Sequence, residues 1–380
     1  MVTMQKSIND FVKKNLPGTA KIIKKSRTFL IDLPHLFSPK KTWPDKSMVF
    51  CAVNSLGYAW SPRSLTSGLG GSEQAVIWLS REWATLGYQV TVFTKCYGDE
   101  GVYDGVTYFD SKKFNRFDTF DTLIIWRHVN LSVLDNTIKA KRIWLDLHDA
   151  IELQSFTAER VKKIDKIFAK SVFQARSLPQ QAQDKAVAIS NGVVGSFFTR
   201  YQDIPKDPFK LIYAASYYRG LERMLAIGWP IIKNNVPEAT FHIFSPPYSR
   251  LPDYLVPLLK QPGVFHRGSV GVDELMKEKA SSSVQYYATT VRETDSLSLK
   301  ESVAVGCVPI TTDFAFAGEK CYCVRVAGEP QAQQTQEAVA RKIVELLKDQ
   351  QALEKARREF KDLVKHDTWE NVARQWLGHV

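Results

Sequence analysis

Short apolar runs recur along this chain from Met48 onward, separated by polar, glycine-bearing or helix-patterned stretches, and that alternation constrains the fold more than any other feature. The first run, Met48-Val49-Phe50-Cys51-Ala52-Val53, leads through a polar, glycine-rich stretch into a helical pattern over 72–86. Ser72 stands where a cap belongs, Val76, Leu79 and Trp83 share one apolar face, and Gly87 ends the pattern. A second strand at 89–94 completes a β-α-β unit, which implies parallel pairing and a right-handed crossover. Buried-strand signals at 122–126, 142–147, 166–169 and 186–189 continue the series, and a doubly wound sheet is the architecture that accommodates it.

Over 201–208 the composition turns polar, with Pro205 and Pro208, and a second series begins. It runs through 211–215, 239–244, 263–265, 283–287 and 308–311 to a long helical pattern over 336–364. A chain of 380 residues is long enough for two hydrophobic cores. The expected organisation is therefore a basic extension over 1–46, a Rossmann-like domain over 47–204 and a second over 205–365. The short helix carrying Trp369 and Trp376 needs a surface on which to bury its rings.

Hydrophobic residues at 44% and charged residues at 24% are ordinary for a soluble globular protein, which argues against a disordered or fibrous chain. The formal charge of +11 favours anionic partners without choosing among them. Much of the excess is local, since residues 1–46 carry ten lysines and arginines against three aspartates. Residues 5–37 mix these cations with apolar side chains, so a basic arm on an anionic membrane is one reading and a solvated or packed arm is the other. Five cysteines spread over a long chain fit a reducing compartment better than a disulfide framework. Cys321 and Cys323, with no second ligand cluster beside them, read as ordinary thiols on a strand rather than a metal site. No apolar window reaches about 18 residues, and no signal-peptide core opens the chain, so a cytoplasmic protein is expected.

In open α/β sheets, ligands bind beyond the carboxyl ends of the strands, and two facing sheets put the site between domains. In the second half, Glu293-Thr294-Asp295-Ser296-Leu297-Ser298-Leu299-Lys300-Glu301 forms an E-x7-E, followed by Ser302-Val303-Ala304-Val305-Gly306-Cys307-Val308-Pro309-Ile310. In the first half, Gly68-Leu69-Gly70-Gly71-Ser72-Glu73 follows a strand and opens a helix, where bare backbone amides approach a phosphate. A strand ends in Asp146-Leu147-His148-Asp149, and Ile189-Ser190-Asn191-Gly192-Val193 closes the first domain. Tyr218-Arg219-Gly220-Leu221-Glu222 follows the first strand of the second domain.

Together these segments resemble glycosyltransferase family 4, from about Met48 to the C-terminus, with residues 1–46 outside the resemblance. It implies a GT-B fold with a deep cleft between two Rossmann-like domains, the last helix crossing back to the first domain. It implies retaining transfer of a hexose-type sugar from a UDP- or GDP-sugar donor to a glycan, glycoprotein or lipid-linked acceptor. By resemblance, Glu301 holds the ribose, Glu293 the donor-sugar hydroxyls, Arg219 the diphosphate, and His148 the sugar near its anomeric centre. Gly70, Gly71, Ser296 and Leu297 are further donor-binding positions. For this family, retention is explained by front-face attack, in which the leaving phosphate takes the acceptor proton.

Two departures concern the donor. Ser216 stands near the place of a familiar arginine, leaving Arg223, Arg292 or Lys300 as the second phosphate-binding cation, and Asp295 and Ser296 replace a bulky apolar residue and a glycine. No D-x-D occurs, so neither a metal nor another cofactor is expected. A nucleotide-sugar epimerase or a phosphorylase on the same fold is the alternative. A nicotinamide-dependent dehydrogenase lacks its G-x-G-x-x-G fingerprint here. Nucleic acid is not an expected partner, because no basic and aromatic interleaving accompanies the charged arm.

Overall fold

The structure is a computed structural model, and it describes residues 34–53 and 58–380. Most of the basic arm, residues 1–33, lies outside the described residues. The first sheet contains β1 Ser47–Cys51, β2 Gln89–Thr94, β3 Gly101–Tyr103, β4 Val106–Asp110, β5 Thr119–Trp126, β6 Lys139–Asp146, β7 Lys166–Ala169 and β8 Ala186–Ala188. Their order is β3-β4-β2-β1-β5-β6-β7-β8, and only the β3–β4 pair is antiparallel. The second sheet contains β9 Asp207–Ala214, β10 Thr240–Phe244, β11 Val264–Gly268, β12 Ser282–Tyr287, β13 Val308–Thr312 and β14 Val324–Val326, in the order β11-β10-β9-β12-β13-β14. Central strands are buried along their length, as parallel strands covered by helices on both faces must be.

The helices that matter for the site are α1 Gly71–Thr85, α2 Val272–Ser281, α3 Leu297–Ala304, α4 Gln333–Lys348, α5 Gln350–Val364 and α6 Trp369–Leu377. The single helix expected over 336–364 is two. Asp349 leaves helical geometry at φ −110°, ψ 83° and caps α5 by accepting from the Ala352 amide. The cap of α1 is Gly70, not Ser72; a Cβ at Gly70 would lie 2.3 Å from Glu73 Oε2 and 2.6 Å from the Tyr248 hydroxyl. Cys321 is exposed in a turn and Cys323 is buried just before β14, so neither lies on a strand. The short strands β3, β4 and β14 have too few apolar residues in a row to announce themselves. Packing of the first domain begins ahead of β1: Thr42 bridges Thr119, and Trp43 is buried with its indole donating to Asp118.

Helix α6 leaves the second domain and packs on the first. Val193 bridges Thr368 at the crossing, Trp376 stacks on Phe168 at 3.5 Å between ring centroids, and the Trp83 indole donates to the Ala373 carbonyl at 3.2 Å. The two tryptophans thus complete the core of the first domain, with Trp376 fully buried.

A buried polar clasp joins the domains. Asp295 Oδ2 accepts from the Ser190 hydroxyl and from both the backbone and side-chain nitrogens of Asn191, at 3.0 to 3.1 Å, while Oδ1 pairs with Lys320 at 3.1 Å. Next to it, Lys300 reaches Asp367, ahead of α6, at 2.8 Å and donates to the Asn191 carbonyl at 2.6 Å. Burial alone would raise the Asp295 carboxyl; the ammonium groups of Lys320 and Lys300 outweigh it and hold the group below its ordinary value.

Two outcomes follow for stability. Trp376→Ala, which empties a stacked aromatic site, is expected to lower unfolding free energy by about 3–5 kcal/mol, read from urea denaturation. Asp295→Asn leaves buried ammonium groups under-compensated and is expected to lose about 3 kcal/mol at pH 7 by the same measurement. Because the folded carboxyl titrates below its unfolded value of 3.8, its contribution is present above that pH and lost as acid lowers it. The gap between wild type and variant should accordingly shrink as the pH falls through about 3.8.

Candidate active site in the interdomain cleft

The sheets reverse their winding between β1 and β5 in one domain and between β9 and β12 in the other. Crevices open at such points, beyond the strands' carboxyl ends. Here the two crevices face each other and enclose a cavity of about 550 Å³. Gly70, Gly71, His148, Arg219, Glu293, Ser296, Leu297 and Glu301 all line it.

On the second-domain wall, Arg219 sits in the turn after β9, ahead of Gly220. Gly220 has φ +82°, and a Cβ there would stand 2.8 Å from the Ala288 carbonyl oxygen, so only glycine fits this turn. The Arg219 guanidinium pairs with Glu293, whose other oxygen accepts from the Tyr287 hydroxyl. Glu301, one turn into α3, is held by Lys279 at 2.7 Å, and Lys279 also donates to the Ser298 hydroxyl and carbonyl. A fully buried lysine thus anchors one carboxylate oxygen of Glu301 on the cavity wall.

On the first-domain wall, α1 begins at the glycine pair, and a Cβ on Gly71 would lie 3.4 Å from Leu297 Cβ across the cleft. The His148 side chain is 2% exposed, and Nε2 meets Asp146 Oδ2 at 3.0 Å, with Lys170 on the other oxygen of Asp146. What His148 turns toward the cavity is therefore chiefly main chain, and its carbonyl accepts from the Thr294 hydroxyl across the cleft at 3.0 Å. Burial lowers the imidazole most, the Lys170 ammonium adds to that, and Asp146 opposes. The ring is neutral at neutral pH.

Of the three proposed second cations, Arg292 lines the cavity, whereas Lys300 is turned into the clasp and Arg223 is not among the lining residues. Asp295 also differs from its expected place at the donor: both of its oxygens are engaged by the clasp. Sequence reasoning gave no role to Arg127, Glu73, Asp149 or Tyr248. Arg127 follows the apolar run of β5 directly, so the rule about strand carboxyl ends would have found it. Its backbone is at φ +63°, ψ 148°, unusual for a side-chain-bearing residue, and it joins Glu73 to Asp149 inside the cavity. Among the described residues, no group of three His, Cys, Asp or Glu side chains is arranged to hold a metal ion, and no helix is long and apolar enough to cross a membrane.

No protein-family model matches the sequence, and no curated protein matches it. Solved structures do. Sucrose-phosphate synthase from Thermosynechococcus elongatus matches over 87% of this chain and 97% of its own, at TM-score 0.65 and 14% identity. Anabaena HepE in complex with UDP-glucose matches over 88% of this chain and 100% of its own, at TM-score 0.63 and 12% identity. The pneumococcal O-GlcNAc transferase GtfA, in complex with UDP and GlcNAc, matches over 68% of this chain at TM-score 0.54 and 18% identity, and the chain spans 56% of its length. The chain has the GT-B fold of these glycosyltransferases, the fold that its resemblance to glycosyltransferase family 4 implies.

Proposed function

We propose that the protein is a retaining, metal-independent glycosyltransferase that moves a hexose-type sugar from a UDP- or GDP-sugar to a glycan, glycoprotein or glycolipid acceptor. The observation that carries this reading is the convergence of Glu293, Glu301 and Arg219 on one wall of the cleft, opposite the Gly70-Gly71 start of α1. Arg219 supplies charge to the diphosphate, and the amides at the start of α1 face the same anion. Glu301, fixed by Lys279, accepts from the ribose hydroxyls. Glu293 accepts from the donor sugar, and as Arg219's partner it couples sugar recognition to phosphate recognition. His148, neutral and oriented by Asp146, stands near the anomeric centre. Ser296 and Leu297 complete the donor loop.

In the transfer step the anomeric carbon's bond to the phosphate oxygen breaks while its bond to the acceptor oxygen forms on the same face. The acceptor proton passes to the departing phosphate, so no dedicated base is needed. Stabilisation of developing phosphate charge by Arg219 and the amides is the main contribution expected of the protein. A cytoplasmic enzyme, touching a membrane surface through residues 1–46, fits the basic arm. Phe37, 88% exposed, lies close in sequence to Lys40 and Lys41.

Titration of UDP, GDP, ADP and their sugar conjugates by calorimetry is expected to find one nucleotide class that binds. Glu301→Ala should weaken it by about tenfold or more, as loss of hydrogen bonds to a charged group does. Binding by none of them would overturn the reading. Product formed in the presence of EDTA should keep the donor's anomeric configuration by NMR; an inverted product, or activity lost to EDTA and restored by a divalent cation, would remove the retaining or metal-independent part.

A further inference from the structure

The first-domain wall of the cavity differs in charge from the donor wall. Its charged lining residues are Glu73, Arg127, Asp149, Glu152 and Lys170. Arg127 donates through Nη1 to Glu73 at 2.8 Å and through Nε and Nη2 to Asp149 at 2.5 Å. Lys170 is engaged by Asp146 behind it. Among the described residues, each cation on this wall is therefore matched by a carboxylate, and carboxylates are in excess. A phosphate or carboxylate entering here would lose its hydration without gaining a free cation and would meet like charge.

Polar atoms left without a partner point to what would enter instead. Gln74 is 5% exposed and lines the cavity; its amide nitrogen donates to the Leu69 carbonyl, and Oε1 has no partner. Asn191, also buried and lining, gives its nitrogen to Asp295 and likewise leaves Oδ1 unpartnered. Both unmet atoms are acceptors, and the neighbouring carboxylates can only accept. A ligand rich in hydroxyl donors satisfies such a wall. At its edge, Tyr58 stacks on Tyr248 with ring centroids 4.3 Å apart, and Tyr248 is 43% exposed, giving an aromatic surface that one domain shares with the other. The unusual backbone of Arg127 shows that this arrangement is held against a local conformational preference.

We propose that this wall is the acceptor subsite and that it takes an uncharged, hydroxyl-bearing carbohydrate, rejecting one that carries a phosphate or carboxylate. The inference rests on the glycosyltransferase reading and adds the class of acceptor. Glu73 and Asp149 receive acceptor hydroxyls, and Arg127 acts as a positioning residue that sets both carboxylates.

The test uses the full chain, the nucleotide-sugar identified by titration, and a panel of methyl hexopyranosides with their 6-phosphates, reading nucleotide release. At least one neutral glycoside should stimulate release, and its 6-phosphate should do so about tenfold less well or not at all, as expected for an anion facing uncompensated carboxylates. Asp149→Asn, which removes one negative charge from beside Arg127, should raise the 6-phosphate's kcat/KM relative to the neutral glycoside while nucleotide affinity stays within about twofold, since the donor wall is untouched. Equal or better use of the phosphorylated partner, an unchanged ratio in a variant that binds nucleotide normally, or stimulation by no neutral glycoside would overturn the proposal and leave the donor reading standing. Failure to bind any nucleotide would overturn both.

Discussion

The carboxylate of Asp295 is buried at the junction of three parts of the chain, and the relation between the domains depends on it. It belongs to the E-x7-E loop, it accepts from the segment that closes the first domain, and Lys320 and Lys300 tie it to the second domain and to the approach to α6. A charge so placed is tolerated only because its oxygens are hydrogen-bonded and cations lie on both sides. The geometry of the cleft inherits this arrangement, since Thr294, one residue earlier, reaches the His148 carbonyl, and Leu297, two residues later, packs on the start of α1. Donor-binding positions from the two domains are thus spaced by contacts adjoining one another in a single loop.

What was legible in the sequence was whatever rests on local periodicity. Apolar runs announced the central strands, and the E-x7-E spacing put Glu293 in a loop and Glu301 one turn into a helix. The role of Asp295 was not legible, because its partners Ser190 and Asn191 lie more than 100 positions away and only the fold brings them together. The same holds for Arg127, which meets Glu73 and Asp149 from three separate strand ends. The cap of α1 moved from Ser72 to Gly70 because the Glu73 carboxylate and the Tyr248 hydroxyl leave no space there for a side chain. Propensity favours serine at a cap, but tertiary crowding decided the position.

The two walls of the cleft divide the electrostatic work. On the second-domain side Arg219 and Arg292 offer charge to an anion, and Glu293 and Glu301 are each braced by a cation. On the first-domain side the cations are turned inward to their own carboxylates. A leaving diphosphate gains from the first arrangement, and a hydroxyl nucleophile from the second, so charge separation across the cleft runs in the direction in which the transfer step moves electrons.

Helix α6 has a consequence for how this chain comes to be folded. It follows every strand of both sheets in sequence, yet Trp369 and Trp376 complete the core of the domain that was begun first. During synthesis, the earlier domain must wait with a gap among Trp83, Trp144 and Phe168 until the later one has emerged. Domains usually mature in the order of their synthesis; here the first cannot close before the second is made, and completion of the two is a single event.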